Sequence, residues 1–284
     1  MSSKLQNLPV LALLVVFSQF SHAAPTNNQI KKVMTEKSIP NWRAATEQSK
    51  TVVNSPPNNT WKKDWEILDL ESIKGNGKSA LNKASDPKNV SDLQGNAIWL
   101  RWKILSGNAD GRYSYAYSYL LSLMKDAGGN LSQEIAVFLY NARLSLSIDG
   151  ARCEDRSSID SVIAGYESQR NLLPILEMVD KLPQKVKAVA LLEAVAIEEM
   201  RGERTGTEYL CGAGTKIMKD ALNQGRQFEK LPDNASENAG INSKGNTYGV
   251  DITGIKPSLI SEVDWQKKRR EILELSISNA AKSL

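Results

Sequence analysis

From Ala188 to Ile197 every residue is apolar except Glu193. A helix of that composition has no face suited to water, so it must lie in the middle of other helices. This stretch predicts the centre of an all-α protein and places one acid where only a partner or a proton can satisfy it.

The flanking sequence supplies candidate neighbours. Trp61, Trp65, Leu68 and Ile73 recur near helical spacing until Gly75-Asn76-Gly77 interrupts them, and a second helix is expected over Asp92 to Leu105. Tyr113, Tyr115, Tyr117 and Tyr119 alternate with period two, as in a strand. Leu120, Leu121, Leu123 and Met124 continue the run without alternating, and Gly128-Gly129 stops it, so residues 112–126 are expected to be helical. Leu131, Ile135, Phe138, Leu139, Ala142 and Leu146 share one helical face, with Asn130 and Gln133 in a capping-box arrangement. Further helices are expected from Ser157 or Ser158, broken at Pro174, restarted after Pro183, over Leu210 to Leu222, and from about Ser258. The fold class is therefore all-α: an irregular helical bundle or solenoid-like array of about seven to nine helices, with one disulfide.

Residues 1–23 read as a signal peptide: Lys4, an apolar run from Val10 to Phe17, then Ser21-His22-Ala23 before Ala24. That run is well short of the roughly 20 apolar residues of a membrane span, so no stable membrane anchor is expected. Residues 24–60 are polar and read as a loosely ordered N-terminal arm, 61–231 as the helical core domain, 232–257 as a polar loop, and 258–284 as a C-terminal helix docking on the core. The expected location is periplasmic or secreted. Removing Lys4 from 36 basic residues leaves 35 against 32 acidic ones, a net +3 that names no partner. Lys267-Lys268-Arg269-Arg270 is the one dense basic cluster and reads as a solvated helix face, so no nucleic-acid partner is expected.

Cys153 and Cys211 are expected to pair, because oxidising compartments leave few free thiols. The only histidine, His22, falls in the leader. A mature chain without histidine can form no Ser-His or Cys-His nucleophile pair and no imidazole metal site. Neither a metal nor a cofactor is expected.

Any catalysis would then have to run on carboxylates, Lys, Tyr or Ser. Glu193, Glu198 and Glu167 are the weak catalytic candidates; if Glu193 is buried, Arg152, Arg156, Arg201 and Arg204 are the cations available to pair with it. Without such a partner its pKa would rise and it could serve as a general acid. Tyr166-Glu167-Ser168 and Tyr140-Asn141-Ala142 resemble two elements of lytic transglycosylases, but in the reverse order, and no role is carried over. Ser72 to Ser79 ends like a phosphate loop but lacks its first glycine and preceding strand, and reads as a turn. Trp99 and Trp102, with the tyrosines from 113 to 119, could stack on sugar, although their spacing suits core packing better. Together with Arg152, Arg156 and Arg204 they are the weak binding candidates. The sequons at Asn58, Asn89, Asn130 and Asn234 carry meaning only in a eukaryotic secretory pathway. The leading expectation is a non-enzymatic module with a protein partner in the envelope or outside the cell. The alternatives are a histidine-free cell-wall glycan hydrolase or lyase, and an immunity or inhibitor protein against a toxin of the same compartment.

Overall fold

A computed structural model describes residues 24–74, 77–107, 109–126, 131–202, 204, 208–230, 248–252 and 254–284. The expected leader over residues 1–23, the expected cap at Asn130, the expected stop at Gly128-Gly129, the Asn234 sequon and most of the expected polar loop lie outside them. The described chain is an all-α array with almost no strand.

Its helices are α1 (Asn27–Val33), a π-helical turn (Met34–Ser38), α2 (Ile39–Asn54), α3 (Asn59–Ser72), α4 (Lys78–Ala84), α5 (Val90–Leu105) and α6 (Gly111–Asp126). There follow α7 (Ser132–Gly150), α8 (Ser157–Glu167), α9 (Leu173–Asp180), α10 (Gln184–Arg201), a 3-10 turn (Glu208–Ala213), α11 (Thr215–Asn223) and α12 (Glu262–Ala281). The surplus over seven to nine comes from short segments cut at prolines and glycines: Pro174 opens α9, and Pro183 caps α10. The expected helix over Leu210 to Leu222 divides at Gly214, where an added Cβ would meet the Asp155 carboxylate. β1 (Phe228–Lys230) pairs antiparallel with β2 (Tyr248–Val250), tying together the two ends of the polar segment.

Two helices share the centre. α10 is buried from Ala188 to Glu198 except at Leu191, and α7 is buried along most of its length, from Glu134 to Gly150. They pack on each other, with α6 against α7 and both α2 and α12 against α10. Each large apolar side chain so buried contributes about 1.5–3 kcal/mol. Phe138 of α7 joins the layers, edge-on to Trp42 of α2 at 5.9 Å and to Tyr117 of α6 at 4.6 Å. Where α6 meets α7, Gly111 leaves no room for a side chain: a Cβ there would strike the Ala142 carbonyl oxygen and lie 2.7 Å from Leu146 Cγ.

Residues 24–60 are not a loosely ordered arm. Ile30, Met34, Ser38, Trp42, Ala45 and Ser49 are all buried, a row spaced by four residues, or once by three, that runs through α1, the π turn and α2. Two of the six are serines, which hides the row from a reading of apolar periodicity. Steps of four drift by about 40° per step on a regular α-helix. The wider π turn takes up part of that drift, and the π turn and α2 pack on α10 while α1 packs on α12. Asn58 and Asn89, two of the sequon residues, are N-caps: their side chains accept from Trp61 N at 2.8 Å and Asp92 N at 3.0 Å.

Cys153 and Cys211 form the disulfide, 58 residues apart in sequence. Among the described residues, no helix is long and apolar enough to cross a membrane.

Candidate functional site

The three acids singled out in the sequence do not converge. Glu193 lies at the centre of the array with no exposed surface, and its partners are not the expected arginines. Trp42 Nε1 donates to Oε2 at 2.6 Å and Ser38 Oγ to Oε1 at 3.4 Å, both from the N-terminal helical row. The cations lie toward the C-terminal end of α10, whereas Glu193 sits mid-helix beneath α2. Burial lifts its pKa to about 7, and the two hydrogen bonds only partly offset that.

The arginines gather instead on Glu198, one and a half turns further along α10. Arg204 donates to both Glu198 oxygens, at 2.7 and 2.9 Å, and to both Asp149 oxygens, at 2.9 and 3.2 Å. Ser145 Oγ adds a bond to Glu198 at 3.0 Å, and Arg269 donates to the Glu198 backbone carbonyl at 3.1 Å. Burial opposes the Glu198 carboxylate, but Arg204 and then Arg201 outweigh it and hold its pKa below the usual range. For Asp149 burial prevails over Arg204, and the pKa rises to about 6. This cluster ties the ends of α7 and α10 to the segment before the 3-10 turn, with no side of the acid open to a substrate. It also removes Arg269 from the basic face, since that side chain points inward.

Glu167, at the end of α8, accepts from Tyr115 Oη at 2.7 Å and pairs with Arg143. Arg152 Cζ lies over the Trp265 ring, 3.6 Å from its centroid, and Arg152 donates to the Arg204 carbonyl at 3.0 Å. Arg156 is exposed. Trp99 is fully buried, with its Nε1 on Asp69 at 2.9 Å, so it offers no face to a sugar. Trp102 is half-buried and is not among the residues that line the cleft between α4, α6 and α8.

A cleft among the described residues takes in none of these acids, arginines or tryptophans, but it does take in two of the tyrosines, Tyr115 and Tyr119. This open cleft of about 550 Å³ has α6 as its floor, α4 and α8 as its walls, and the turn after α8 as its end. Arg112, Tyr115, Ala116 and Tyr119 form the floor, one face of α6 at positions i, i+3, i+4 and i+7. Lys78, Asn82 and Ser85 line one wall, Ser161, Val162, Gly165 and Tyr166 the other, and Gln169, Asn171 and Leu172 the end. No carboxylate is among the described residues that line it. Tyr115 and Tyr166 stack in parallel, ring centroids 5.6 Å apart and planes within 6°. Burial first, and then Glu167, hold the Tyr115 phenol protonated, so it donates steadily to that acid. Arg112 is paired with Asp110 through Nε and Nη2, each at 2.9 Å, and lies against the Tyr166 phenol.

Of the cleft residues, the sequence singles out Tyr115 and Tyr119 as stacking candidates, within the tyrosine run; it gives no binding role to the others. The usable signal is the spacing of Arg112, Tyr115, Ala116 and Tyr119, visible once residues 112–126 are taken as helix. No protein-family model, curated protein or solved structure matches this chain.

Proposed function

We propose that this chain is a non-catalytic binding protein of the periplasm or extracellular space that takes part of a protein partner into the α4–α6–α8 cleft. The observation that carries this reading is the absence of any carboxylate among the described cleft-lining residues, while every candidate acid is committed elsewhere. Glycan hydrolysis through carboxylates canonically uses two of them flanking the scissile bond. A general acid must also come within about 2.6–3.2 Å of the atom it protonates. Glu193 and Glu198 have no exposed surface, and Glu167 is occupied by a tyrosine and an arginine. The cleft volume falls within the range of about 300–1,000 Å³ typical of ligand sites. Export is supported by the disulfide, which suits an oxidising compartment, and by the leader-like first 23 residues.

A photo-cross-linking phenylalanine analogue at Ser161, on the cleft wall, tests the reading in cells of the source organism. The expected outcome is a discrete protein adduct from Ser161 and none from the same probe at Lys267, on the exposed face of α12. Adducts from neither position would overturn it. So would release of soluble fragments from peptidoglycan by the purified protein, lost in Glu167→Gln.

A further inference from the structure

The charge and polarity of the cleft narrow what it can accept. Arg112 is matched by the Asp110 carboxylate, whereas Lys78, exposed at the rim, has no acid partner among the described residues. With no lining carboxylate beside it, the residues that line the cleft carry a net positive charge, which disfavours a cationic ligand. Asn82, Gln169 and Asn171 present amides, each both donor and acceptor, as required to pair with the alternating N–H and C=O groups of an extended backbone. Stacking on sugar is poorly served by Tyr115, which is 1 % exposed, has its ring covered by Tyr166 and has its hydroxyl committed to Glu167. Tyr115 is held by Glu167, and Tyr166 is braced by the stack and by Arg112, so the floor is ordered before any ligand arrives.

We infer that the cleft recognises an extended acidic peptide segment, with its backbone on the amide-bearing end of the cleft and an Asp or Glu side chain at Lys78. This rests on the binding reading above and adds the chemistry of the occupant. Selection of a random peptide library displayed on phage against the purified full-length protein tests it. The selected peptides should be enriched in Asp or Glu over the unselected library. Lys78→Glu should weaken a selected peptide by about tenfold, and Lys78→Arg should retain binding, because the contact is one rim charge. Asn82→Trp, an exposed position on α4, should abolish binding by filling the cleft, with circular dichroism and the thermal midpoint unchanged to exclude misfolding. Peptides without acidic enrichment that still lose binding in Asn82→Trp would overturn the acidic-segment inference while leaving the cleft as a binding site. Peptides insensitive to Asn82→Trp would overturn the cleft itself. Failure to select any peptide, with N-acetylated glycan oligomers binding instead in a manner lost in Asn82→Trp, would overturn the inference in favour of a sugar ligand.

Discussion

Glu193 sets an ionisable acid in the apolar centre, where Trp42 and Ser38 donate to it, so its protonation state enters the stability of the contact between α10 and the N-terminal helical row. The folded pKa of about 7 lies above the ordinary 4.5 because burial penalises the anion. The folded chain therefore binds this proton more tightly than the unfolded chain does. That contribution to stability is fully present below pH 4.5 and is lost as the pH rises through about 7. Its full size is on the order of 3 kcal/mol. Glu193→Gln keeps the shape of the protonated acid and can still accept from Trp42, so the variant should match the parent near pH 4.5 and exceed it by up to about 3 kcal/mol at pH 8.5. Urea unfolding of both proteins across that range isolates the effect, since Asp149 titrates in each. Parallel stability curves would show that the carboxylate is not held as described.

At the scale of elements, α6 connects the core to the cleft. Two residues along an α-helix turn the side chain by about 200°, and four by about 400°, so alternate tyrosines fall on opposite faces. Tyr113 and Tyr117 face inward, onto Trp99 at 6.0 Å and Phe138 at 4.6 Å, while Tyr115 and Tyr119 line the cleft. A pattern that reads locally as a strand is thus two i, i+4 pairs with different duties. Gly111 sets how closely this helix approaches α7. Gly111→Ala forces a methyl group onto backbone of α7, which cannot move aside as a flexible side chain would, and should lower stability by about 1–3 kcal/mol. Gly212→Ala, with nothing within 4 Å of the added atom, should stay within about 0.5 kcal/mol of the parent. Urea midpoints at unchanged slope measure both. Equal midpoints for the two variants would mean that α6 and α7 are not in the contact described. The same elements mark what a sequence reveals. α10 is legible from its composition alone, and α7 from its apolar spacing. The N-terminal row is not, because Ser38 and Ser49 occupy buried positions. The cleft is legible only in its floor, where Arg112, Tyr115, Ala116 and Tyr119 share one face of α6; its walls come from α4 and α8, about 80 residues apart, and leave no periodic trace.

At the scale of the whole molecule, three distant stretches of chain meet around the disulfide. Cys153 forms an isolated bridge with Leu259, Glu154 N donates to Ser258 O at 3.0 Å, and Ile260 N donates to Arg152 O at 2.9 Å. Asp155 accepts from Lys216 N at 2.6 Å and Ser157 N at 3.0 Å, and Ser158 Oγ donates to the Leu210 carbonyl at 2.9 Å. The covalent link therefore reinforces a junction that hydrogen bonds already define, and its main effect falls on the unfolded chain, where it closes a loop of 58 residues. The chain-entropy estimate for that closure is about 4 kcal/mol. A typical domain has a total stability of about 5–15 kcal/mol, so the protein without the link should still fold, with a much lower margin. Cys153→Ser with Cys211→Ser should accordingly retain the parent's far-ultraviolet circular dichroism in buffer while unfolding at a markedly lower urea concentration. Reduction of the parent with dithiothreitol should reproduce that midpoint. Because the junction anchors the segment leading into α12, and α12 covers α10, amide exchange in α12 should accelerate together with that in α8 and the 3-10 turn. An unchanged urea midpoint in the double variant would mean that the sulfur link contributes nothing. Accelerated exchange confined to the 3-10 turn would mean that the three stretches do not form one cooperative junction.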